Sequence, residues 1–156
     1  MGNLNLQKMW LLTGKNHYAA KLNSMEANQL VEEIKACMKR DQELIDEYHR
    51  LENGKWYGMG LSEHIGFIHW NEEECKYPVL MQVMPARKNR LVVSVDGTTQ
   101  HSEGSGWHVN KLYLNDFRRP DVTEASLTIS SVSDLEASYE ITCDAPWLSC
   151  SSYKGV

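Results

Sequence analysis

The sequence predicts an α+β fold, an N-terminal helical hairpin (the end of a helix bundle) followed by an antiparallel β-sandwich that stops short of its last strands. Three observations predict it. One apolar stripe of helical period runs through residues 24–51, the period changes to two after about residue 61, and turn residues then recur roughly every ten positions. The expected division is a helical segment at residues 1–60 and a sandwich domain at 61–156.

The helical stripe is the clearest signal. Leu30, Ile34, Cys37, Asp41, Leu44, Tyr48 and Leu51 follow one another at steps of 4, 3, 4, 3, 4 and 3, with Val31, Met38 and Ile45 beside them. That spacing lines one side of a helix of about seven turns. Asn23 with Glu26 has the form of a capping box, and Asn53-Gly54 supplies a left-handed stop. A helix so apolar on one side needs a partner. Residues 4–22 offer one through Leu6, Met9, Trp10 and Leu12, with Gly14 expected to interrupt it. Asp41 is the lone charge in the seam, expected as a buried partner of an arginine, an indole N–H or a backbone group.

From residue 61 the alternation is that of strands. His64–Trp70, Val79–Met84, Leu91–Val95, Leu127–Ile129 and Tyr139–Cys143 each read as one, with Asp96-Gly97 as a turn and residues 97–108 as an exposed loop. Five or six strands are fewer than a sandwich holds, so an unpaired edge is expected, open to another copy of the chain.

Composition excludes several functions. The net charge is −5 and no basic patch occurs, which argues against nucleic acid, and no apolar run is long enough to cross a bilayer. The four cysteines, Cys37, Cys75, Cys143 and Cys150, show no CxxC spacing, so reduced thiols in a soluble chain are expected, with a lean towards the cytoplasm. No cofactor and no metal is expected. His64 and His69 leave opposite faces of one predicted strand, and Gly104-Ser105-Gly106 lacks the lysine and helix of a phosphate loop. No serine sits in a Gly-x-Ser-x-Gly elbow, and the Glu72–Glu74 run reads as a solvated turn. Among the tryptophans, Trp147 reads as a core plug, Trp56 and Trp70 as a seal where helices meet sandwich, and Trp107 as a candidate sugar contact, with Tyr113 near it in sequence.

The segment from Gly54-Lys55-Trp56 through Met59 to His64-Ile65-Gly66-Phe67 and Trp70 resembles a signature of glycoside hydrolase family 115, the xylan α-1,2-glucuronidases. Tyr77-Pro78, Leu91–Gly97, Leu114-Asn115-Asp116-Phe117, Tyr139-Glu140-Ile141 and Ala145-Pro146-Trp147-Leu148 are similar to later blocks of the same region. The resemblance spans roughly residues 25–156 and implies a non-catalytic accessory region of a larger enzyme that removes (4-O-methyl)glucuronic acid branches from xylan. The family's acids lie in an upstream barrel, so this chain alone is expected to be inactive. The partners implied are that catalytic domain, glucuronoxylan through the parent enzyme, and a second copy. Lys55, Trp56 and His64 are the candidate interface to the catalytic domain. The alternative readings are a carbohydrate-binding or oligomerisation module.

Overall fold

The computed structural model describes residues 2–59, 65, 76–103 and 110–156. The fold is α+β: two helices form a hairpin, and antiparallel sheets of few strands follow. The described residues cluster into two compact units, one of residues 1–21 with 26–82, the other of residues 22–25 with 83–156. The expected strand His64–Trp70 lies almost wholly outside the described residues.

In the first unit, α1 (Gly2–Lys21) and α2 (Glu26–Arg50) bury facing stripes. Met9, Leu12, Thr13, Asn16 and Ala19 recur every three or four residues on α1, and Ala27, Leu30, Val31, Ile34, Cys37 and Asp41 do so on α2. Gly14 does not break α1. It lies on the exposed side, where burial of its neighbours fixes the backbone regardless of its weak propensity. Asn23 plays a different part from the one expected, because its φ of +54° is left-handed and it ends α1 rather than capping α2.

The stripe on α2 is buried only as far as Asp41. Asn5 Nδ2 donates to the Cys37 carbonyl at 2.9 Å, which fixes the register of the pair. Helix α1 begins three residues earlier, so it runs out opposite about residue 40, and the last ten residues of α2 extend roughly 15 Å past it.

Residues 76–82 belong to this unit but form no strand. They form a strap bonded to side chains of the helices. Asn16 accepts from the Met81 N–H at 2.8 Å and donates to the Met81 carbonyl at 2.8 Å, and a His17 ring nitrogen lies 2.8 Å from the Val79 carbonyl. Val79 and Met81 are thus held by an imidazole and an amide, and no residue of Val79–Met84 is a sheet member.

In the second unit, β1 (Leu91–Val95) is the centre of a three-stranded antiparallel sheet, between β2 (His101–Glu103) and β3 (Leu127–Ser131). Val92 pairs with Glu103 on one side and Ser130 on the other. Val92, Ser94 and Val95 are its buried residues. Gly97, at φ +73°, makes the turn after β1. β2 falls inside the stretch expected to be loop. A second sheet pairs β4 (Tyr139–Glu140) with β5 (Lys154–Gly155).

Candidate docking surface at the end of α2

The chain leaves α2 through three consecutive left-handed residues, Glu52, Asn53 and Gly54, with φ of +50°, +56° and +83°. Only the last is free of the steric penalty that Cβ imposes there. The expected Asn-Gly stop is present and begins one residue early. Tight turns follow, closed by Tyr57 N–H to the Gly54 carbonyl and Met59 N–H to the Trp56 carbonyl, both at 3.0 Å.

These turns fold aromatic and apolar side chains back towards the end of α2. The His49 ring lies 5.1 Å from that of Tyr57 and 5.7 Å from that of Tyr48. The Lys55 ammonium sits 4.8 Å from the Trp56 ring centre, a cation–π distance, with Trp56 half-buried and Lys55 exposed. Leu51 is 54% exposed, Tyr57 76% and Met59 55%, while Leu44 and Ile45 on the overhanging turns are half-buried. Arg40, bonded to Glu47 and Glu43, borders the apolar surface, and those two bonds hold its guanidinium above its ordinary pKa, Glu47 contributing most. The structure thus brings Lys55 and Trp56 together. His64 and Trp107 lie outside the described residues.

Asp41 closes the inner border. It is 3% exposed and accepts from the Tyr77 hydroxyl at 2.8 Å, while the Gln42 amide reaches the same hydroxyl oxygen. One partner is thus a phenol on the strap, a group the sequence reading did not name. Sequence spacing gave no sign of Tyr77, because the pair is separated by 36 residues.

Two expectations about aromatics need correction or addition. Trp147 is no core plug. It is 76% exposed on a turn closed by the Leu148 N–H and the Ala145 carbonyl, since Pro146 and the tight turn turn the indole outward. Tyr113 is exposed, and its backbone N–H and carbonyl both bond the Gln100 side-chain amide.

Among the described residues, no three of His, Cys, Asp and Glu come together as a metal ion would require, and no helix is long and apolar enough to cross a membrane. No protein-family model matches the chain, and no curated protein matches it at a significant level.

Proposed function

We propose that the chain is a non-catalytic accessory region of a glycoside hydrolase resembling the xylan α-1,2-glucuronidases, and that the free end of α2 is where it meets the catalytic domain. One observation supports this reading above the others. Leu44, Ile45, Tyr48, Leu51, Tyr57 and Met59 form an apolar and aromatic surface past the point where α1 ends, beside the Lys55–Trp56 pair. Contiguous exposed apolar surface rimmed by charge is a mark of interaction sites, and tyrosine and tryptophan are the side chains on which binding energy concentrates. Catalysis belongs to the parent enzyme in this reading, with glucuronoxylan as its substrate.

The test is to mix the chain with a separately produced upstream catalytic domain and measure binding by calorimetry. The double variant Leu51→Glu, Tyr57→Ser is expected to weaken the complex by about tenfold or more, the effect of losing a central contact. Equal binding by variant and parent would end the docking assignment. Release of glucuronic acid from aldouronic oligosaccharides by the chain alone would overturn its non-catalytic role.

A second reading, a carbohydrate-binding module, is favoured by Trp147, an indole held out on a short proline-containing turn. It requires a tryptophan fluorescence shift on titration with glucuronoxylan that disappears in Trp147→Ala.

A further inference from the structure

We propose that two copies of the chain pair along the outer edge of β3, antiparallel and about a two-fold axis at Leu127, so that their sheets join into one. β1 lies between β2 and β3, which leaves β3 as an edge strand. Backbone groups along a strand turn alternately to its two sides, and here the parity is fixed at both ends. The Asp96 N–H donates to the Ser126 carbonyl at 3.1 Å, and the Val132 N–H donates to the Arg90 carbonyl at 3.1 Å. Even-numbered residues of β3 therefore bond to β1, while Leu127, Ile129 and Ser131 turn their N–H and C=O groups outward. Ser131 agrees with this parity, because its carbonyl accepts from the Met25 N–H on the outer side at 2.8 Å. Among the described residues, nothing bonds the outward groups of Leu127 and Ile129.

The edge is suited to a second copy of itself. Edge strands are commonly guarded by lysine or proline; residues 123–131 contain neither, and Glu124 is their single charge. Residues 123–127 are exposed, so the edge is open at its start, whereas the Met25 bond closes it at Ser131. The longest antiparallel overlap that leaves Ser131 to Met25 sets Leu127 opposite its own counterpart and Ile129 opposite Ala125 of the other copy. Directly opposite residues share a face of the sheet, and these three are all apolar. Leu127, 44% exposed in the single chain, is then covered by its counterpart. Glu124 falls opposite Ser130, so no like charges meet. The joined sheet has the order β2-β1-β3-β3-β1-β2. Its new seam is short, so the association is weak and depends on concentration. It does not rest on the accessory role proposed above, which uses a surface of the other unit.

Sedimentation equilibrium of the full chain from micromolar to millimolar concentration is expected to show monomer passing into dimer. Over the same range the Leu127 and Ile129 amides should exchange with solvent progressively more slowly. Those of Thr128 and Ser130, already bonded to β1, should not change. Leu127→Glu and Leu127→Lys each place like charges across the axis and leave the backbone ladder to β1 in place, so each is expected to weaken the dimer about tenfold or more. An equimolar mixture of the two variants should recover dimer, which variants that merely misfold could not do. A parent chain that stays monomeric throughout would overturn the pairing. So would a dimer that Leu127→Glu leaves unchanged, or a mixture no more dimeric than its components.

Discussion

Asn16 shows how one side chain can stand in for a strand. Its amide presents an acceptor and a donor in the same geometry as a peptide unit, so it takes both backbone groups of Met81, and its nitrogen also donates to the Ala27 carbonyl at 2.8 Å. The residue is fully buried, where an unpaired amide would be costly, and these three bonds satisfy it. Gln100 does the same for Tyr113 at the surface. The difference in burial decides which matters more for stability. Replacing Asn16 by Ala leaves the Met81 groups without their partner and opens a small void, so the helical unit should lose about 2–3 kcal/mol. A urea titration followed by circular dichroism reads this directly. A midpoint unchanged from the parent would mean that the strap is held by something other than Asn16. None of this was legible in the sequence, where Asn16 is an ordinary polar residue on a weakly amphipathic helix, because its partner is 65 residues away.

At the scale of elements, local periodicity carried the reading as far as a neighbour existed. The stripe on α2 was legible because 3.6-residue spacing is a property of the segment itself. Where its burial stops was not, since that depends on the length of α1 and on the register fixed by Asn5. The same distinction explains residues 79–84. Alternation reports an extended chain, yet a strand also needs a ladder partner, and here side chains of α1 occupy that place. The left-handed stop after α2 was legible from Asn53-Gly54, whereas the return of the Tyr57 ring to 5.1 Å from that of His49 depends on the turns that follow. β4 and β5 add a further local device: a Cβ placed on Gly155 would meet the Tyr139 ring at 2.6 Å, so the ring covers the space that a side chain would fill. Gly14 is the reverse case. It is exposed in the interior of α1, and a Cβ there meets nothing within 4 Å. Gly14→Ala should therefore stabilise the helical unit by about 0.5–1 kcal/mol, through lower chain entropy in the unfolded state. The urea midpoint is expected to rise, and a fall would show that Gly14 has a packing role that its open surroundings hide.

At the scale of the whole chain, the two units are not consecutive in sequence. Residues 22–25 join α1 to α2 yet cluster with the sheets, and the Met25 N–H donates to the Ser131 carbonyl on β3 at 2.8 Å. Met25 directly precedes α2, where backbone N–H groups have no acceptor within the helix and need one from elsewhere. The sheet strand supplies it. Leu22 and Ser24, on either side of the left-handed Asn23, are buried as well. A boundary drawn at one place along the sequence therefore cannot divide the molecule cleanly, and a fragment of residues 1–82 would lack the Ser131 acceptor and the cover over the helix-joining residues. One backbone hydrogen bond and part of the burial of Leu22 together amount to about 1–3 kcal/mol. The fragment should consequently show a lower urea midpoint at helical wavelengths than the full chain, and its Met25 amide should exchange with solvent faster than the same amide in the full chain. Equal midpoints and equal exchange would mean that the hairpin closes by itself, and that the bond to β3 follows helix pairing without strengthening it.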